Sequence, residues 1–297
     1  MAVLVVAIVW GTTFLGIRIA VETVPPWFVA GIRQCIAALL ILPYLIYKKQ
    51  LKMLSGRDLM IQMVLSTLML IGANGLTTVA EKNLSSSLAS LISSSSPLMV
   101  FILSLLFGMQ KFNLKALSGV ILGFCGILLI FWDGLSDLAN EGYRYGIIAM
   151  GGAVLGWALG TVFSKKSFNK PQNLFLNLFY QFAFAGVVQV IFGFIFSQEI
   201  VVSAWSLKSW AAILYLGIFG SVAAYFAFNF LLKKLAPTQV SILSYVNTII
   251  AIFLGWLVLD EEISWQFILA AVMIISGVFI TNKAMKAAAF AKKADHN

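Results

Sequence analysis

Long apolar runs separated by short polar breaks recur along the whole chain. Taken between charged or turn-rich breaks, they predict helices over 2–20, 27–47, 59–80, 84–108 and 114–132. A second set follows over 145–164, 173–196, 208–231, 236–258 and 263–281. Each is close to the about 20 residues that a helix needs to cross ~30 Å of hydrocarbon. The longest connector runs from Asp133 to Tyr145, which leaves no room for a soluble domain. The expected fold is an all-α integral membrane protein of ten transmembrane helices. The first run, Ala2 to Ile17, has no basic segment before it and no small-x-small cleavage site after it. It is therefore read as a span and not as a signal peptide. Its abrupt start leads to the expectation that further basic residues precede it in the natural protein.

Composition agrees with this reading: 61% of the 297 residues are hydrophobic and 10% are charged, against roughly 25% charged in soluble domains. The net charge of +9 is spread over short loops and the C-terminal segment, with no continuous basic stripe, so no nucleic-acid partner is expected. One histidine (His296) and two cysteines (Cys35, Cys125) provide neither a metal site nor a disulfide framework. Both cysteines fall in apolar runs and read as small buried thiols, and no cofactor is expected.

Lys and Arg fix the expected orientation. With the N-terminus in the cytoplasm, fifteen of them, from Lys48 through Lys293, fall on the cytoplasmic side. Arg18, Lys82, Arg144 and Lys208 fall on the other. Glu22, Glu81, Asp133, Asp137, Glu141, Glu199 and Asp260 to Glu262 also fall outside. Both termini are thus expected in the cytoplasm of a multi-pass protein of a bacterial plasma or inner membrane. Residues 283–297 form a basic cytoplasmic tail.

The spans divide five and five at residues 133–144. At an offset of 147, Trp10 meets Trp157, Arg18 meets Lys165 and Gln34 meets Gln181. At 151, Leu84 meets Leu235, Ser90 meets Ser241, Ser93 meets Ser244, Leu103 meets Leu254 and Leu106 meets Leu257. An odd number of helices per half inverts the second half. Inverted repeats are common in secondary transporters that bind substrate near the midplane and alternate access between the two sides.

Three stretches carry a family resemblance: Val9-Trp10-Gly11-Thr12-Thr13-Phe14, Leu155-Gly156-Trp157-Ala158-Leu159-Gly160, and Leu235-Ala236-Pro237-Thr238 through Tyr245-Val246-Asn247 to Leu259-Asp260-Glu261. They resemble the EamA type of the drug/metabolite transporter superfamily. The resemblance implies two EamA units, 1–132 and 145–282, and export or exchange of small metabolites such as amino acids. Multidrug or nucleotide-type export is the alternative it leaves, beside a channel or scramblase. The family usually has Pro where Thr248 stands and Glu where Gln110 stands, whereas Pro97 and Glu261 keep the pattern in the opposite halves.

Within the spans, Arg33 is the one charge placed well inside. It lies about 10 Å along its helix from the outer end. It either pairs with an outer acid such as Glu22 or Glu81 or captures a substrate carboxylate. Trp10, Asn74, Trp157, Tyr180, Tyr225, Asn229, Tyr245 and Asn247 complete the candidate substrate-binding set, since polar side chains at this depth must face the bundle or a wet cavity. The alternative is interhelical packing. Such a lining suits a small, partly apolar solute. Ser93 to Ser96 before Pro97 predict a kinked fourth helix. Gly152, Gly156, Gly160, Gly119, Gly123 and Gly126 predict close helix approach. With no histidine or carboxylate expected inside a span, an intramembrane enzyme is excluded, and downhill export or exchange is expected.

Overall fold

The computed structural model describes residues 2–109, 112–133, 140–167, 173–241 and 243–294. Gln110, Asp137, His296 and most of the predicted central connector lie outside the described residues. Ten helical rods follow one another: α1 (Ala2–Ala20), α2 (Pro26–Tyr47), α3 (Gly56–Ala80), α4 (Ser86–Leu106) and α5 (Leu114–Asp133). The second five are α6 (Glu141–Ser167), α7 (Leu174–Phe196), α8 (Leu207–Lys234), α9 (Pro237–Ser241 and Leu243–Leu259) and α10 (Trp265–Ala294). Seven of these rods are long and apolar enough to cross a membrane, and α5, α9 and α10 contain shorter apolar stretches. The last helix continues through much of the segment expected as a tail.

Local chemistry sets the helix starts. Ser55, Ser85, Asn173 and Ser206 each accept a backbone N–H of the first turn, and Pro26 opens α2. These are the caps that free N–H groups require at a helix start. The break in α4 falls at Ser94–Ser95, with Pro97 in the first turn of its second piece. Ser94, Ser95 and Ser96 each donate to the carbonyl three residues back, at 2.6–2.7 Å. Pro97's counterpart, Thr248, instead donates to Ser90 O (3.0 Å) on α4. Periodicity did not predict two π-helical stretches, Thr67–Gly75 in α3 and Leu216–Ala223 in α8. Such wide turns often mark functional sites.

Packing follows the repeat. Helix α2 lies along α7 and α5 along α10, while α1 meets α8 and α9 as α6 meets α3 and α4. Arg18 Nη1, at the end of α1, donates to Glu81 O (2.6 Å) and Lys82 O (3.2 Å). Lys165 Nζ, at the end of α6, donates to Leu232 O (2.9 Å) and Lys233 O (3.4 Å). The donors are 147 residues apart and the acceptors 151, the two offsets of the sequence repeat. Each cation caps the carbonyl end of a neighbouring helix, where the helix dipole favours positive charge. One clamp lies at the face holding Glu81, here the far face, and the other at the near face.

The glycines mark the tightest contacts. A Cβ on Gly119 would run into Gly277 O and Thr281 of α10. Gly119→Leu is expected to lower the thermal midpoint in detergent by about 5 °C. Gly151→Leu is the control, since no atom lies within 4 Å of a Cβ there. An equal midpoint for both variants would mean that α5 and α10 tolerate separation. Both cysteines were expected to be buried, but Cys35 is half-buried and Cys125 exposed, because α5 is peripheral and turns position 125 outward.

Candidate functional site

A cavity of about 830 Å³ of empty space, its open mouth included, lies between the halves. Helices α1, α2, α3, α4, α6, α8 and α9 all contribute to its wall. Trp10/Trp157 line it at an offset of 147, and Thr77/Phe228, Ser93/Ser244 and Ser96/Asn247 at 151. The repeat's equivalent positions therefore converge on one space.

One wall is aromatic. The Trp10 and Trp157 rings meet edge to face at 5.1 Å, and Phe228 packs on both, at 5.2 and 4.8 Å. Trp10 Nε1 donates to Gly220 O (3.1 Å) in the π-helical stretch of α8, which fixes the ring. A second wall is hydroxyl-rich. Ser96, Ser241 and Ser244 donate to carbonyls of their own helices at 2.7–2.9 Å. With the protons directed inward, their oxygens remain available to the cavity as acceptors.

Two polar groups are left without partners. Arg33 is 2% exposed and lines the cavity. Its Nε donates to Ser221 Oγ (3.2 Å), while Nη1 has no hydrogen-bond partner. Gly220 leaves room for this head group, since a Cβ there would lie 3.3 Å from Nη2. Asn74 Oδ1, also on the wall, is shut from solvent and unpartnered. A buried donor and a buried acceptor left open in one cavity are unusual, because each costs free energy until satisfied.

The sequence-derived candidates separate into two groups. Trp10, Arg33, Asn74, Trp157 and Asn247 come together on the cavity wall. Asn247 also packs helices, its amide donating to Ala7 O (2.8 Å) and Leu243 O (2.9 Å). Tyr180 points elsewhere and donates to Lys52 O (3.1 Å) at the near face. Tyr225 lies behind the wall, donating to Gln181 Oε1 (3.1 Å), and Gln181 Nε2 donates to Gln62 Oε1 (2.7 Å). Asn229 donates to Tyr225 O (2.9 Å) within its own helix. Tyr245 is buried with its hydroxyl unpartnered, outside the cavity wall. Thr13, Ser93, Ser241 and Ser244 line the cavity without having been proposed. Ser93, Ser241 and Ser244 were visible as repeat matches, a signal that could have nominated them.

The largest departure concerns the outer acids. Glu22 pairs with Lys208 (3.8 Å) and not with Arg33. Glu81, expected in an outer loop, follows the last residue of α3 and is 0% exposed. Neither of its carboxyl oxygens has a hydrogen-bond partner. A helix end at the far face can still be enclosed by its neighbours, which linear position does not reveal. Glu261 sits beyond α9, and its carboxylate accepts from the N–H of Ser86 (2.6 Å) and of Ser87 (2.9 Å) at the start of α4.

Comparison with known proteins gives a consistent result. A model of the EamA-like transporter family matches residues 1–132 and 144–283. The Escherichia coli protein YedA, described as an uncharacterized inner membrane transporter, is 30% identical over 92% of this chain and 87% of its own. The protein PagO of Salmonella typhimurium is also 30% identical, over 94% and 90%. The Bacillus subtilis transporter YoaV is 25% identical over 94% and 95%. One solved structure superposes with a TM-score of 0.71 at 16% identity, covering 96% of each chain, which shows a shared fold.

Proposed function

Because the chain belongs to the EamA-like transporter family, we propose that this membrane transporter is a secondary transporter exporting or exchanging small, partly apolar metabolites, with amino acids as the substrate class. The observation that carries the substrate class is the pair of open groups in the cavity. Arg33 Nη1 is a cationic donor and Asn74 Oδ1 a neutral acceptor, both buried and unpartnered. A zwitterion presents the complement, a carboxylate for Arg33 and an ammonium for Asn74 and the serine oxygens. The Trp10, Trp157 and Phe228 rings suit an apolar side chain and can face the ammonium as well. A multiply charged anion would meet one cation and many acceptors, a poor match.

Alternating access is the proposed mechanism. Its support is the equivalent clamps at opposite faces, Arg18 on α3 and Lys165 on α8. Two units of opposite orientation give inward- and outward-open states of similar energy, and release of one clamp while the other holds would open one face. The excess of Lys and Arg on the near face supports cytoplasmic termini.

The test is transport in proteoliposomes containing amino acids, nucleosides or cationic drugs. Saturable flux of amino acids is expected. Trp157→Ala should reduce it about tenfold, the loss of roughly 1.4 kcal/mol of ring contact, with expression and insertion intact. Flux that rises linearly with concentration would point to a pore and overturn the reading.

A further inference from the structure

Glu81 is the buried titratable group that the proposed transport mechanism leaves unused. It lies just beyond the end of α3, wholly enclosed, with two oxygens that meet no donor. Four charged groups surround it. From α1 comes Arg18, whose Nη1 is engaged by the backbone carbonyl of Glu81 and not by its carboxyl. From α2 comes Arg33, within electrostatic reach of Glu81 but forming no ion pair with it. From the segment after α9 comes Glu261, held by two backbone N–H groups at a helix start. On its own strand of chain, Lys82 is directed away to Val21 O (2.9 Å).

A carboxylate enclosed without donors is costly, whereas the neutral acid is not. Of the two acids, Glu261 has two backbone donors and Glu81 has none. We propose that Glu81 is a proton-binding site whose ionised carboxylate competes with the carboxylate of the transported solute for Arg33. The ligand is a proton from water at the far face, which forms an O–H bond on one Glu81 oxygen. Burial pushes the Glu81 carboxyl well above the usual carboxylate range, opposed by Arg18, reinforced by Glu261 and opposed by Arg33.

Arg33 connects this site to the cavity. Arg33 stands on the cavity wall and within reach of Glu81, with Nη1 open. With Glu81 neutral, the guanidinium has no compensating anion and a solute carboxylate binds it. With Glu81 ionised, the guanidinium already has an anion within electrostatic reach, and the solute carboxylate binds it less well. Proton and solute therefore bind cooperatively, and by linkage each raises the affinity of the other equally. The sign follows: solute affinity is highest below the Glu81 titration and falls as pH rises through it. Proton and carboxylate then move in the same direction, as symport, so the proton gradient sets the direction in which the solute runs. The inference rests on Arg33 as the carboxylate contact of the proposed transporter.

The experiment uses the full chain in lipid nanodiscs. Infrared difference spectra through a pH titration should contain a protonated-carboxyl band persisting above about pH 6, beyond the ordinary Glu range. The band should vanish in Glu81→Gln and shift in Glu81→Asp, which keeps an acid should the Gln variant fold poorly. L-phenylalanine is the binding probe, read by tryptophan fluorescence. Its affinity should be about tenfold higher at about pH 6 than at about pH 8 in the native chain, and independent of pH in Glu81→Gln. If Glu81→Gln removes no band, the proton site is overturned whatever phenylalanine does. A band that behaves as expected, with phenylalanine binding unchanged by pH, overturns the competition for Arg33. That same band with no phenylalanine binding at any pH upholds the proton site and rejects the amino-acid reading of the cavity.

Discussion

Replacing Arg33 with alanine is expected to reduce L-phenylalanine transport about a hundredfold while leaving transport of its uncharged-terminus analogue, L-phenylalaninamide, nearly unchanged. The guanidinium is 2% exposed and offers one open nitrogen to the cavity. Truncating one partner of a buried charge pair typically costs about 2–5 kcal/mol, and each 1.4 kcal/mol is about tenfold in affinity. The amide has no carboxylate to lose, so the native chain should discriminate between the two solutes and Arg33→Ala should not.

Stability should move the other way or stay constant. An arginine inside the membrane costs about 2.5–3.5 kcal/mol on insertion scales, and Arg33 recovers only part of that through its bond to Ser221. A purely structural Arg33 would predict that Arg33→Ala lowers the thermal midpoint and depresses both solutes alike. Initial rates in proteoliposomes, set beside thermal midpoints in detergent, distinguish the two. Equal loss for acid and amide would sink the binding role.

The spans were legible because a membrane imposes length and apolarity on consecutive residues, and both are one-dimensional properties. The repeat was legible for a related reason. Trp10 and Trp157, or Arg18 and Lys165, hold equivalent positions that chain order preserves. Helix facing was much less so. In a soluble bundle the apolar stripe points inward, but here lipid and core are both apolar, so Tyr180 and Trp157 looked alike as mid-span aromatics. One reaches the near face at Lys52 and the other meets Trp10. Depth along the chain also failed as a guide to burial. Glu81 and Lys82 are adjacent in a short polar break, yet Glu81 is enclosed while Lys82 is exposed. The π-helical stretches had no pattern to betray them, because a single widened turn leaves the apolar composition unchanged.

Glu261→Ala is expected to unseal the far face between α4 and α9. Asp260 takes a positive φ of 52° after the end of α9, and the turn brings Glu261 N–H back to Gly255 O (3.2 Å). That turn delivers the carboxylate to two N–H groups at the start of α4. Gly255 is required there, since a Cβ would lie 2.5 Å from Ser87 Oγ and closer still to the Glu261 carboxylate. Hydrogen bonds to an ionised group contribute about 1.5–3 kcal/mol each, and bare N–H groups carry a further cost unless water reaches them. Opening the face lets water in, so the variant shifts the balance between closed and open states. A shift of about 2 kcal/mol changes their ratio about thirtyfold. The measurement replaces Cys35 and Cys125, introduces Ser93→Cys on the cavity wall, and times labelling by an impermeant thiol reagent applied to the far face. Labelling should be about thirtyfold faster with Glu261→Ala than without it, and intermediate with Glu261→Gln, which keeps one acceptor oxygen but not the charge. Equal rates in all three would mean that the α4–α9 contact is held by packing alone and that the carboxylate merely decorates a helix start.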